Sequence, residues 1–173
     1  SALVAKDDVR THGSGNAGLT NFIRNYGVGS ALYVVLIDAG KAVLACLACG
    51  MILGRFGFYL EGAALGGLCV MLGHVFPAVL GFKGGKGILS GGAIAIMVDW
   101  RVALVVWGGF IVLSVLTRYV SLGSVWAGSS FPFISWYCYP DTIIVVLAFL
   151  CGGLVVWKHR ENIGRMIRRE EIG

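Results

Sequence analysis

Chemistry-bearing residues gather in a few short polar stretches. The densest is Gly81-Phe82-Lys83-Gly84-Gly85-Lys86-Gly87, with four glycines and two lysines in seven positions. Such a run is a poor helix interior and a good tight turn, because glycine accepts positive φ and lets another molecule approach the backbone amides. Exposed amides beside two ammonium groups suit a phosphate. The apolar residues from Ile88 to Val98 then read as a helix whose first turn would offer its unpaired N–H groups to the same anion. The alternative is a flexible loop whose lysines only set membrane orientation. A nucleotide P-loop is excluded, because Lys86 is followed by Gly87 and not by Ser or Thr.

A second stretch, Thr11-His12-Gly13-Ser14-Gly15-Asn16-Ala17-Gly18-Leu19-Thr20-Asn21 followed by Arg24, combines small hydrogen-bonding side chains with a guanidinium. Ser, Thr and Asn in this setting either cap the next helix or contact a substrate, and Arg24 adds a fork-shaped donor for phosphate. Asp38 and Lys41, three positions apart in an apolar run, fall on neighbouring parts of one helix face. Charges inside a bilayer are costly, so both must face protein or a polar cavity, paired with each other or engaged by substrate. His74 reads as either a hydrogen-bonded packing residue or a functional group. Of the five cysteines, Cys46 and Cys49 share a helix face, but no histidine or carboxylate closes a ligand set, which favours packing over metal binding.

These residues need a scaffold, and composition defines its class. Of 173 residues, 57% are hydrophobic and 13% charged, with a mean hydropathy of +0.83. Apolar runs that approach the roughly 20 residues of a bilayer-crossing helix are too long for a soluble core, or for barrel strands of about ten alternating residues. The chain reads as an all-α integral membrane protein, a polytopic bundle forming a single domain over residues 1–173. The net charge of +5 does not indicate nucleic acid, because the basic residues lie between apolar runs and not on one aromatic-interleaved face. Spans are expected at about 28–53, 62–80, 88–98, 102–117 and 142–157, with a thin, tilted or broken segment near 122–136 that contains Pro132. Six spans are therefore visible. Leu3-Val4-Ala5 ahead of Lys6 reads as the end of a further N-terminal span, missing or truncated.

With the C-terminal tail inside, counting back through six spans places Lys6, Arg10, Arg24, Lys83, Lys86, Arg118, Lys158, Arg160, Arg165, Arg168 and Arg169 on the cytoplasmic side, with Arg55 and Arg101 outside. This strong positive-inside pattern gathers the polar junctions at 10–24, 81–87, 118–124 and 158–171 on one face.

The junctions carry a family resemblance. Ser14-x-Asn16-x-Gly18-x-Thr20-Asn21 with Arg24, Asp38-x-x-Lys41, Gly73-His74-x-x-Pro77, Gly84-Gly85-Lys86-Gly87, Arg118-x-x-Ser121-x-x-Ser124 and His159-x-x-Asn162-x-x-Arg165 occur in that order. Together they resemble the bacterial acyl-phosphate-dependent glycerol-3-phosphate acyltransferases. The resemblance implies seven membrane helices in the bacterial inner membrane, with an active site facing the cytoplasm. It also implies transfer of a fatty acyl group from acyl phosphate to the 1-hydroxyl of glycerol 3-phosphate, the first acylation step of phospholipid synthesis. The products are lysophosphatidic acid and phosphate; no cofactor or metal is called for, and the enzyme that makes acyl phosphate is an implied functional partner. Ser14, Arg24, Lys86, His159 and Asn162 are the implied catalytic residues. Asn16, Thr20, Asn21, Gly84, Gly85, Gly87 and Ser121 are implied in substrate binding, with Asp38, Lys41, His74, Arg118 and Arg165 in support. Two departures sit beside these motifs: Ile88-Leu89-Ser90 replaces a small-residue and threonine continuation, and Arg169 stands where the tail motif has glycine before Glu171.

Acyl phosphate is already activated, so such an enzyme chiefly orients the hydroxyl and stabilises developing charge. No serine lies in a Gly-x-Ser-x-Gly elbow, which argues against an acyl-serine intermediate. Acyl-CoA acyltransferases with a soluble head place aspartate five residues after a histidine; here Ala17, Val79 and Gly164 follow His12, His74 and His159 at that offset. A transporter or channel for an anionic metabolite is the rival reading, supported by intramembrane Asp38 and Lys41 and opposed by the one-sided polar motifs.

Overall fold

A computed structural model describes residues 9–13, 15, 16 and 18–171. Among them there is no strand, and seven α-helices follow one another: α1 Leu19–Gly54, α2 Tyr59–Val75, α3 Ile88–Val98, α4 Trp100–Thr117, α5 Val120–Cys138, α6 Thr142–Lys158 and α7 Arg160–Ile167. Short 3-10 turns occupy Val9–Thr11 and Ala78–Leu80. The chain is a multi-pass α-helical membrane bundle. Three of its helical segments, Ala31–Gly54, Tyr59–Leu80 and Trp100–Thr117, are long and apolar enough to cross a membrane, and a fourth is added if α6 and α7, bent by 51°, count as one span.

Local chemistry explains the boundaries. Gly27, at φ 78° and ψ 171°, breaks α1 so that its polar first turns leave the axis of the apolar remainder. Asp99 ends α3 and caps α4, accepting from the Arg101 backbone N–H at 2.7 Å. Asp141 caps α6 through Ile143 and Ile144 at 2.9 and 3.0 Å. α3 has 11 residues, a rise of roughly 16 Å against a hydrocarbon thickness of roughly 30 Å. α7 is amphipathic, with Asn162 buried and Arg160 exposed.

The segment expected to be thin or broken is instead continuous: α5 runs 19 residues with Pro132 inside. Proline removes the bond to the Gly128 carbonyl and pushes it aside. That carbonyl points at Gly152 of α6, where an added Cβ would sit only 2.2 Å from it. A backbone contact between two glycines thus accommodates the proline and joins the helices. Small residues do the same between α1 and α2, where a Cβ on Gly66 would lie 2.3 Å from the Ala45 carbonyl.

The core is small and apolar, with Ala42, Cys46, Met71, Ile94, Val102, Val106, Cys151 and Val155 buried together. Cys46 and Cys151 therefore serve in packing, and all five cysteines are free thiols. At the α3–α4 corner, Asp99 accepts from Tyr139 Oη at 2.7 Å and from Arg101 Nε at 2.9 Å, which clasps this corner to the α5–α6 connection. Hydrogen bonds from Arg101 and Tyr139 hold the Asp99 carboxyl far below the usual range.

Candidate active site

The polar stretches, far apart in the chain, meet at one end of the bundle around a cavity of about 330 Å³. The start of α1 contributes Asn16, Thr20, Asn21 and Arg24; the glycine-lysine turn contributes Lys86 and Gly87; α5 contributes Ser121; the α6–α7 elbow and α7 contribute His159, Asn162 and Arg165. Asp38 and His74 also line it, as do the apolar Leu19, Ile88, Leu89, Trp107, Phe110 and Val120.

The turn at 81–87 is held by backbone. Gly84 donates to the Val75 carbonyl at 3.2 Å, and a Cβ there would sit 2.0 Å from the His74 carbonyl, so only glycine fits. Gly87 takes φ +82°, the left-handed region, with its Cα face against the Met71 sulfur. Gly85 is buried and Lys83 exposed, which leaves Lys86 as the lysine turned inward. Its ammonium donates to Asn162 Oδ1. Burial pulls the Lys86 ammonium below its ordinary pKa, Arg165 adds repulsion, and Glu171 offsets part of both.

Asn162 is a relay between cation and anion. Its Nδ2 donates to Ser121 Oγ and to Glu171 Oε1, both at 2.7 Å; Ser121 Oγ also donates to Glu171, and Arg165 Nε reaches Glu171 Oε2 at 2.8 Å. Burial pushes the Glu171 carboxyl up, but the hydrogen bonds from Ser121, Asn162 and Arg165 outweigh it and hold the group below its usual value. Sequence reasoning gave Glu171 no role in the site. Its signal in the sequence was the tail motif, whose glycine position, held here by Arg169, precedes it.

His159 is 3% exposed. Its Nδ1 lies 2.8 Å from the Val155 carbonyl, so Nδ1 carries the proton and Nε2 is left as an acceptor. Burial pushes its pKa down to about 4, with the Lys86 charge acting in the same direction. The imidazole is therefore neutral near pH 7.

Asp38 and Lys41 pair as expected, Nζ to Oδ1 at 2.6 Å. The same ammonium reaches His74 Nδ1 at 2.7 Å, so α1 and α2 share a three-membered polar network. The His74 ring thus faces α1, while the glycine-lysine turn is tied to the end of α2 by the Gly84 N–H bond to the Val75 carbonyl. Ser90 Oγ donates to the Asp38 carbonyl at 3.1 Å and ties α3 to the same point.

Other expected residues divide clearly. Asn21 is 2% exposed, and its amide is engaged by the carbonyls of Val9, His12 and Asn16 at 3.0 Å each, so it shapes the N-terminal loop. Lys41, Gly84 and Gly85 do not line the cavity. Arg118 is exposed, at φ 62° where α4 ends, and does not line the cavity. Ser14 lies outside the described residues.

An apolar bundle whose polar stretches converge on a cavity lined by cations and apolar side chains has the form of a membrane-embedded site suited to an amphiphilic anion. Residues 1–169 match the family model for glycerol-3-phosphate acyltransferase, and the chain belongs to that family. The glycerol-3-phosphate acyltransferase of Parasynechococcus marenigrum is 38% identical over 164 residues, 95% of this chain and 76% of that one. That of Thermoanaerobacter pseudethanolicus is 34% identical over 166 residues, 96% and 81% of the two chains. The crystal structure of PlsY (YgiH), an integral membrane glycerol 3-phosphate acyltransferase, in its glycerol 3-phosphate form superposes with a TM-score of 0.88 at 30% identity, covering 99% of this chain and 86% of that one. Its lysophosphatidic acid form gives 0.82 at 30% identity, with 92% and 80% covered. The resemblance drawn from the motifs holds: the chain is an acyltransferase, and the transporter reading gives way.

Proposed function

We propose that this chain transfers a fatty acyl group from acyl phosphate to the 1-hydroxyl of glycerol 3-phosphate, releasing lysophosphatidic acid and phosphate. The observation that carries the reading is the convergence of Arg24, Lys86 and Arg165 on one cavity that is also lined by the apolar Trp107, Phe110 and Val120. Both substrates bring phosphate to the cations, and the acyl chain lies along Trp107, Phe110 and their neighbours. The glycerol oxygen attacks the acyl carbonyl carbon, the bond from that carbon to the phosphate oxygen breaks, and phosphate departs with the electron pair. Lys86 and Arg24 stabilise the charge that builds on the leaving group.

The hydroxyl proton passes to His159 Nε2 or to a substrate phosphate. A bound phosphate dianion would neutralise the Lys86 charge that depresses His159, making the imidazole a better base at the moment it is needed. Asn16, Thr20, Ser121 and Asn162 supply donors and acceptors around the headgroup, and the sequence motif places Ser14 with the catalytic residues. Gly84, Gly85 and Gly87 shape the turn, and Asp38, Lys41, His74 and Arg118 support the helices that carry it.

The topology we infer has six crossings, α1 to α6, with α3 the shortest, and a cavity open to the cytoplasm of a bacterial inner membrane. Clustering of the basic junctions at one end supports this orientation. An enzyme that makes acyl phosphate must then supply the donor. Purified protein offered acyl phosphate and acyl-CoA separately, with glycerol 3-phosphate, should form lysophosphatidic acid with acyl phosphate only. Product from acyl-CoA, or none from acyl phosphate, would sink the reading.

A further inference from the structure

Next to the catalytic cavity, the α6–α7 elbow meets the turn that follows α2. The Phe76 and Trp157 rings lie with centroids 5.9 Å apart. Lys158 Nζ sits 5.8 Å from the Phe76 ring and 5.9 Å from the Trp157 ring, and the Arg160 guanidinium lies 4.4 Å over Trp157. Arg160 also donates to the Trp157 carbonyl at 3.1 Å, which fixes it over the indole. On the same turn as Phe76, Val79 is 92% exposed and Phe82 64% exposed, with exposed Lys83 beside them. The carboxylate facing this group is Glu161, 4.0 Å from Arg160 and itself open to solvent. Lys83, Lys158 and Arg160 exceed it in charge.

Cations held over aromatic faces, at the polar end of an apolar bundle and bordered by exposed aliphatic and aromatic side chains, match an acidic lipid headgroup with its chains. We propose that this elbow binds one anionic glycerophospholipid, its phosphate on Lys158 and Arg160, its glycerol level on Phe76 and Trp157, and its chains against Val79 and Phe82. The site is separate from the reaction cavity, whose lining includes none of these residues. It bridges the two segments that carry Lys86 and His159, so the lipid joins the turn to the elbow. The assignment goes beyond the acyl transfer and does not depend on which acyl donor is used.

Native mass spectrometry of the protein in neutral detergent, titrated with phosphatidylglycerol or phosphatidylcholine, tests it. The wild type should retain one phosphatidylglycerol in preference to phosphatidylcholine, and each cation removed should weaken that preference about fivefold. Lys158→Gln with Arg160→Gln should abolish it, and Arg55→Gln should leave it intact. Saturating glycerol 3-phosphate should not displace the lipid. Equal retention of the two lipids, displacement by glycerol 3-phosphate, an equal loss in Arg55→Gln, or an unchanged preference in the cooperatively melting double variant would each overturn the proposal. Should the double variant fail to melt cooperatively, Lys83→Gln decides: its preference must fall about fivefold, and no change overturns the site.

Discussion

Lys86 is oriented by Asn162, which in turn is fixed by Ser121 and Glu171, so one ammonium is aimed by a chain of hydrogen bonds. Replacing Lys86 with Met keeps the stem and removes the charge; the transfer rate should fall by about 10²-fold to 10³-fold, the range for loss of one charge-stabilising group. Near-normal turnover in reconstituted membranes would remove Lys86 from the mechanism. His159 gives a pH-dependent expectation. Burial opposes its protonation in the fold, so the unfolded chain takes up the proton first, near 6.5, and the folded chain only near 4. The stability this contributes is complete above about pH 6.5 and is lost as pH falls toward about 4. Thermal unfolding in detergent from pH 7.5 to 4.5 should drop more steeply for the wild type than for His159→Gln. Identical slopes would contradict the buried, neutral imidazole. If the same variant keeps the wild-type transfer rate across pH, a substrate phosphate is the base. At this scale the sequence made donors and cations legible because residue type carries their chemistry. The partnerships were not: Lys41 and His74 lie 33 positions apart, and Ser121 and Glu171 lie 50 apart, so no spacing rule links them.

Among the elements, the glycine-lysine turn and the α5–α6 contact depend on missing side chains. Gly84→Ala would put a methyl group 2.0 Å from the His74 carbonyl. The turn must then lift, and a displacement of that order should cost about 10²-fold in transfer while unfolding stays cooperative. Wild-type activity would show that the turn tolerates the shift. Gly152→Ala would place its Cβ 2.2 Å from the Gly128 carbonyl, and overpacking of this kind costs about 1–3 kcal/mol. A lower melting temperature in detergent is expected, and an unchanged one would deny that contact its role. The α3 boundaries were readable because Gly87 and Asp99 are strong punctuation on either side of an apolar run. α5 was not, because Pro132 reads as a break when seen alone. Only the glycine on the neighbouring helix reveals that its displaced carbonyl has somewhere to go.

For the whole molecule, the reading that matters is sidedness. In a background with the five native cysteines replaced, a cysteine at Lys83 should react with an impermeant maleimide only when the cytoplasmic face is exposed, and one at Gly57 only from the opposite face. Labelling of both from the same side would break the alternating topology. Hydropathy made the class of protein readable from composition alone, whereas the number of crossings depends on short helices such as α3 that length criteria do not settle. The cavity also spans nearly the whole described chain, from Asn16 to Glu171. Its two edges are separated by 155 positions of synthesis, the difference between those residue numbers. At roughly 5–20 residues per second, the N-terminal donors would wait about 8–30 s on the ribosome before the carboxylate that steadies Asn162 is made. The N-terminal edge of the cavity therefore meets its C-terminal edge only after translation has delivered the segment that holds Glu171.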